Sequence, residues 1–328
     1  MILTITPNPA LDLSGEVDDI VPNEKNYVHH EKRHPGGNGI NAARVIAALG
    51  VPVVATGFLG GAVGGEVEAL LKAEGVSCRF IPTKESTRIN ITVSNQKTSK
   101  QTRFSFAGSR IERENMQQLL DLIRQDRSIA LINLGGSFPP GFTMDDVRSI
   151  FEVARERGIG VVADVPSQHL QDLIQLRPIL IKPNLKEFNE LLGRQLTTVD
   201  EVSQAARGLN EFVPLVCISS VERGALMVTP TGSCFVKGPE VDAKSSVGAG
   251  DSMVGGIMAQ LYRAGVTHPE AARNIAPEVL QEALRWGQAA ALATVVTPGT
   301  ELGKAEGMAA FVPRIQVKPL SPFKERPE

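Results

Sequence analysis

The chain has 328 residues, 42% of them hydrophobic and 21% charged, with 31 glycines and a formal net charge of −2. That composition builds a large core in one domain with at most a small appendage, and it offers no basic field for nucleic acid and no polybasic membrane patch. Small-molecule partners are expected, and three widely spaced cysteines, Cys78, Cys217 and Cys234, argue against a disulfide framework or a cysteine zinc site.

Ile2–Ile5 reads as a buried strand with no basic or cleavable apolar leader, so a cytoplasmic protein is expected. Asp12 follows in an apolar segment, where an acid suits either two vicinal hydroxyls or a surface turn. Residues 12–34 break the strand–helix rhythm and read as twisted antiparallel strands. Gly36-Gly37-Asn38-Gly39-Ile40-Asn41 then feeds the helical run Ala42–Leu49. Backbone there can lie flush against a ligand, and Asn41 offers a donor and an acceptor to a sugar hydroxyl; a structural turn has the same appearance. Residues 45–65 carry no charge, but Pro52 and six glycines divide them into a helix end, the strand Val51–Phe58 and a loop, not a membrane span.

In the segment 87–106, Ile89, Ile91 and Val93 alternate with polar residues, as do Phe104 and Phe106 after a polar turn. Together with 12–34 it predicts a four-stranded flap, one face over a cleft and the other a dimer surface. Lys25, Arg88 and Arg103 in it are the cations a phosphate-bearing substrate needs, and also what a solvated flap carries. Amphipathic faces at Met116–Ile123 and Val147–Ala154 flank the strand Ile129–Leu134. After that strand, Ser137 in GGSFPPG lies at a carboxyl edge, where ligands gather in open α/β sheets; it does not satisfy GxSxG.

Strands at Ile159–Asp164, Ile179–Ile181, Leu215–Ser219 and Ala225–Val228 continue the alternation, with helix starts at Thr143-x-x-Asp146, Thr198-x-x-Glu201 and Thr267-x-x-Glu270. The whole predicts an α/β fold with a mainly parallel sheet flanked by helices. In Lys182-Pro183-Asn184-x-x-Glu187, Asn184 and Glu187 read both as a reciprocal helix cap and as outer contacts to a hydrated Mg²⁺. Residues 1–311 form a single expected domain, and 312–328, rich in Pro and charge, an extended or disordered tail.

Ser246-Val247-Gly248-Ala249-Gly250-Asp251 is the densest signal. Two glycines let backbone N–H groups approach an anion, and Met253, Val254, Ile257, Met258 and Leu261 recur at helical spacing after it. The loop therefore sits at a helix N-terminus that favours negative charge, with Asp251 beside it to accept a hydroxyl proton. There is no GxxxxGK[ST] loop and no dinucleotide fingerprint.

Taken together, Asp12, GGNGIN at 36–41, GGSFPPG at 135–141, KPNLKE at 182–187 and SSVGAGDSMVGG at 245–256 resemble the ribokinase-like (PfkB) carbohydrate kinases along about 300 residues. TPNPALD at 6–12 and TRIN at 87–90 resemble the phosphofructokinase and tagatose-6-phosphate kinase branch. Lys25 and Arg103-Phe104 are more similar to the minor bacterial 6-phosphofructokinase. The resemblance implies a ribokinase-like fold with a β-flap lid and ATP-dependent phosphorylation of a ketohexose phosphate, fructose 6-phosphate before the 1-phosphofructokinase or tagatose-6-phosphate kinase alternatives. A non-catalytic sugar-phosphate sensor is the reading from another class, and retention of Asp251, Asn184 and Glu187 counts against it.

By the same resemblance Asp251 is the base, and Gly248, Ala249 and Gly250 form the anion hole. The sugar phosphate falls to Asp12, Lys25, Gly36, Gly37, Asn41, Arg88, Arg103 and Ser137, and the nucleotide to Lys182, Asn184, Ser219, Gly224, Ser246, Gly248 and Gly250. Magnesium is held through water by Asn184 and Glu187, and a monovalent cation such as K⁺ by Ser245, Val247 and the turn at Gly299. Two departures stand out: Val221 occupies the first glycine position of the usual S/T-x-G-x-x-G nucleotide loop, and Asn38 replaces a lysine common in the 1-phosphofructokinase and tagatose branches.

Overall fold

A computed structural model describes residues 1–320. Its strands are β1 (Ile2–Thr6), β2 (Ala10–Val17), β3 (His29–Gly36), β4 (Val53–Leu59), β5 (Ser77–Cys78), β6 (Ile81–Pro82), β7 (Arg88–Asn95), β8 (Lys100–Phe104), β9 (Leu131–Gly135), β10 (Gly160–Asp164), β11 (Leu180–Ile181), β12 (Leu215–Val221), β13 (Gly224–Val228), β14 (Ser233–Lys237) and β15 (Gln316–Pro319). Eleven of them form one sheet in the order β15-β14-β13-β12-β11-β10-β9-β1-β4-β5, with β6 against β4. Pairing is parallel from β12 to β5 and antiparallel from β12 to β15.

Apolar runs at the sheet centre alternate between two cores because successive strand side chains face opposite ways: Ile2 joins one core, Leu3 and Ile5 the other. Helices Asn38–Ala48, Ala249–Arg263 and Pro277–Val295 cover the first face, and Arg113–Gln125 and Met144–Glu156 the second. The expected stripes are the buried ones, with Leu119, Ile123, Val147 and Ile150 fully enclosed. The uncharged 45–65 stretch divides as its glycines require, into a helix end, β4 and the start of the Gly61–Ala73 helix. No helix among the described residues is long and apolar enough to cross a membrane.

Four strands form the separate flap, ordered β3-β2-β7-β8. Here the sequence reading needs correction: β2–β3 and β7–β8 are antiparallel hairpins, but β2 and β7 run parallel along eight paired residues. The chain between them crosses the main sheet through β4 to β6, and that crossover sets their direction. Ile20, Val21, Tyr27, Val28, Phe104 and Phe106, on the flap and its connections, are the exposed large apolar residues of the described chain.

Two boundary expectations also shift. The third helix start is capped by His268, one residue after Thr267, whose Nδ1 accepts from the Ala271 N–H at 3.3 Å. The expected tail instead begins with a 3-10 turn at Val312–Arg314, and β15 pairs with β14 because Ile315 and Val317 pack on the core. The rest of that expectation, 321–328, lies outside the described residues.

Candidate active site

Parallel strands deliver their carboxyl ends to one edge, so Asn8, Ser137, Asp164, Lys182 and Ser219 gather there from segments far apart in sequence. Two glycine-led helices aim their first turns at the same edge. Gly37 (φ 119°) and Gly248 (φ 73°) precede them, each in backbone space that side chains rarely enter, and neither helix carries a side-chain cap. The first helix begins at Asn38, so Asn41 belongs to its opening turn and not to the loop. The two helices pack closely because Gly255 has no side chain: a Cβ there would stand 2.8 Å from the Val45 Cβ. This approach lets Asn41 Nδ2 donate to Asp251 Oδ2 at 2.8 Å.

Asp251 is half-buried, and its carboxyl is pushed up to about 6, by desolvation first and then by the negative charge of Asp164. The Asn41 hydrogen bond and the Lys182 cation oppose that rise. A carboxylate poised near neutrality is suited to take a proton from a hydroxyl. Lys182 has a 7% exposed side chain whose Nζ is 3.7 Å from Asp164 Oδ1. Burial works against its charge, yet the surrounding negative groups, Asp164 foremost, hold its pKa above the ordinary lysine value. Its ammonium also abuts Gly250, where a Cβ would meet Nζ at 3.2 Å. A buried cation thus faces the glycine loop with only a loose ion pair, which suits an incoming phosphate.

Asp12, on the flap strand β2, is close enough for its charge to act on Asp251. Burial pushes the Asp12 carboxyl up, while the Asn90 Nδ2 donor at 3.0 Å and the charges of Arg88, Arg44 and Arg103 pull it down. Gly36 rests on it: a Cβ there would be 2.2 Å from Asp12 Oδ2. Arg88 spends three of its donors on backbone, with Nε to Pro9 O at 3.4 Å, Nη1 to Phe106 O at 2.8 Å and Nη2 to Asn8 O at 2.8 Å. It therefore staples the flap to the sheet edge as well as placing a charge near Asp12. Asn8 Nδ2 donates to Ala107 O and to Ser137 Oγ, at 2.9 and 3.2 Å. Lys25 is not drawn into this network: it stands exposed in the 18–28 connection with no hydrogen bond or ion pair.

On the far side of Gly250 a cavity of about 380 Å³ is lined by Ser219, Gly224, Gly250, Met253 and Gln288. Its hairpin explains the valine departure. Val221 is fully buried and pairs with Gly224, and the positive backbone angles fall instead on Ser220 (65°), Glu222 (44°) and Arg223 (64°). No glycine is required at 221. Such a two-residue turn strains its non-glycine residues; Glu222 also accepts from the Val199 N–H at 3.1 Å, tying the turn to the first residue of the preceding helix, Val199–Arg207.

Asn184 and Glu187 do form the reciprocal cap, Asn184 Oδ1 accepting from Glu187 N at 3.0 Å and Glu187 Oε2 from Asn184 N at 2.9 Å. No group of three or more metal-ligating His, Cys, Asp or Glu side chains exists among the described residues. Asp164, with the capping pair Asn184 and Glu187, offers too few clustered carboxylates to cage a metal and fits a hydrated cation carried in with phosphates better. Ser246 is exposed, and Ser245 Oγ accepts from Val247 N at 3.2 Å. The turn through Gly299 (φ 69°) abuts the glycine loop through Leu302, and the Thr300 hydroxyl is buried there without a partner.

Sequence reasoning passed over Asp164, Asn90 and Asn8. Asp164 carried a legible signal, an acid closing an apolar strand on the same edge as Ser137. Asn90 sits opposite Asp12 in the β2–β7 register, which a reading of antiparallel strands cannot supply.

Comparison with known proteins agrees with this architecture. The model for the pfkB family carbohydrate kinases matches residues 8–306. The ATP-dependent 6-phosphofructokinase isozyme 2 of Escherichia coli (strain K12) is 33% identical over 304 residues, covering 92% of this chain and 94% of that protein. The 1-phosphofructokinase of Bacillus subtilis (strain 168) is 30% identical over 318 residues, covering 97% and 99%. The crystal structure of Escherichia coli phosphofructokinase-2 with substrates and products superposes with a TM-score of 0.86 at 31% identity, over 95% of this chain and 98% of that one. With the same coverage, a potassium complex of that enzyme (31% identity) and its tetrameric inhibited form (30%) give TM-scores of 0.84 and 0.82.

Proposed function

Because the chain belongs to the pfkB family of carbohydrate kinases, and so is a phosphotransferase acting on a hydroxyl group, we propose that it transfers the γ-phosphate of ATP to fructose 6-phosphate in the cytoplasm. The observation that carries the proposal is the convergence on Asp251: a half-buried carboxyl near pKa 6, hydrogen-bonded by Asn41, at the open end of the helix that starts at Gly248, and within reach of the charges of Lys182 and Asp12. Asp251 takes the proton as the hydroxyl attacks in line. The amides of Gly248, Ala249 and Gly250, with Lys182, stabilise charge on the transferring group, which is the larger electrostatic contribution.

Asp12, Gly36, Gly37, Asn41 and Ser137 hold the sugar, and Arg88 and Arg103 its phosphate; Lys25 joins only if the flap or a second copy brings it there. Ser219, Gly224 and Ser246 hold the nucleotide, with Asn184 and Glu187 turned to the water shell of its magnesium, which neutralises phosphate charge when bound. Backbone oxygens of Ser245, Val247 and Gly299 are the donors for a monovalent cation, in keeping with the potassium complex of the Escherichia coli enzyme. Exposed apolar side chains on the flap and its connections, with Tyr27 70%, Phe104 53% and Phe106 56% exposed, support a homodimer through that region.

A second reading, 1-phosphofructokinase, draws on the Bacillus subtilis relative, which matches 97% of this chain; Asn38 in place of the branch lysine weighs against it. A coupled ADP-release assay decides. Fructose 6-phosphate is expected to give the highest kcat/KM among fructose 6-phosphate, fructose 1-phosphate, tagatose 6-phosphate and fructose. A preference for fructose 1-phosphate selects the second reading, and equal use of unphosphorylated fructose overturns the phosphate clamp.

A further inference from the structure

At the amino edge of the sheet, opposite Asp251, a cavity of about 330 Å³ opens between strands and helices. Its floor is apolar, formed by the buried Phe151, Ile159, Val161 and Ile179. Its rim is cationic: Arg155, Arg177 and Arg273 all line it, and none of the three pairs with a carboxylate.

Two of these guanidiniums are nevertheless fixed in place. Arg177 holds a left-handed backbone (φ 60°) and lays its guanidinium over the Phe212 ring, 5.6 Å from the centroid. Arg273 donates from Nη1 to Asn210 O at 3.2 Å and from Nη2 to Glu211 O at 3.0 Å. An aromatic face or a carbonyl orients a guanidinium but leaves its full charge in place. Three positive charges, none held in an ion pair, therefore border an apolar hollow.

We propose that this hollow binds a small organic anion, with a carboxylate or phosphate head at the arginine rim and an apolar body on the floor. Planar guanidiniums match either head in paired hydrogen bonds, and the volume lies in the range of small-ligand sites. The site is separate from the kinase centre: Ile159 and Ile179 immediately precede β10 and β11, whose opposite ends lead to Asp164 and Lys182.

The test titrates 4-phenylbutyrate and phenyl phosphate into the full chain by calorimetry or ligand-observed NMR, with and without saturating ADP and fructose 6-phosphate. At least one probe is expected to bind one site per chain, with Kd on the order of 0.1–1 mM, unmoved by the active-site ligands. The better probe distinguishes a carboxylate from a phosphate head. The headless analogue 4-phenyl-1-butanol is expected to bind at least about tenfold more weakly, as is either probe to Arg155→Glu or Arg177→Glu, exposed positions where the fold tolerates the change. The proposal is overturned if neither probe binds saturably up to about 10 mM, well above the expected range, if active-site ligands displace the probe, or if the charge-reversed variants bind like the wild type.

Discussion

The helix that follows Thr198 and the helix that follows Gly248 begin in opposite ways. Thr198 Oγ1 accepts from Glu201 N at 3.3 Å while Glu201 Oε2 accepts from Thr198 N at 3.1 Å, so that helix satisfies its own amino end. The Gly248 helix has no side-chain cap, and the nearest carboxylate, Asp251, is hydrogen-bonded to Asn41 from another helix. A self-capped end uses its orphan donors for stability, and an uncapped one leaves them for an anion. The Asn184 helix stands between the two cases, capped by the same residues proposed to face magnesium.

The strongest way to break the open end is Asp251→Asn, which keeps the shape and removes the proton acceptor. Turnover is expected to fall by roughly 10²–10⁴, with nucleotide binding retained; near-normal turnover in a folded variant removes Asp251 as the base. The same change has a signed effect on stability. The folded pKa, about 6, is raised above the ordinary 3.8, so the native state holds this proton more tightly than the unfolded chain. Its contribution favours folding at low pH and is lost as pH rises through about 6. Asp251→Asn is therefore expected to melt like the wild type near pH 4 and to be more stable near pH 8, by on the order of 1–3 kcal/mol. For the wild type, kcat/KM against pH is expected to lose activity below about pH 6.

Glu187→Gln sharpens the intermediate case. Gln keeps an oxygen for the Asn184 N–H but loses the charge, so the magnesium concentration needed for half-maximal rate is expected to rise about tenfold. Melting temperature should move little and the sugar-phosphate KM hardly at all. An unchanged metal response leaves Glu187 as a cap alone.

Thr198→Ala probes the closed end and carries the smallest effect. Losing the cap is expected to cost about 1 kcal/mol in chemical denaturation and to leave kcat unchanged. A fall in kcat without lost stability would mean that this helix serves the nucleotide hairpin through the Glu222–Val199 contact.

Much of the architecture was legible because it depends on neighbours in sequence. Apolar runs of strand length between amphipathic stripes required a parallel sheet with helices on both faces, and the Thr143, Asn184 and Thr198 signatures marked helix starts that the backbone adopts. The glycine loops were likewise visible, since only glycine enters the backbone space found at Gly37 and Gly248 at little cost. The pairing of the tail was not legible because its proline and charge mask the short alternation at Ile315 and Val317 that builds β15.

What the sequence determined by itself was thus the set of elements and the residue types at their ends, governed by interactions within a few positions of the chain. Tertiary structure alone decided how those ends combine. Asn41 meets Asp251 across 210 residues because Gly255 lets two helices touch. Asn90 meets Asp12 because a crossover turns β7 parallel to β2. Asp164 and the buried Lys182 become a pair only when β10 and β11 lie side by side. A carboxyl with a pKa near 6 cannot be read from an aspartate in a string of letters, since the shift comes from burial and from charges brought close by the fold.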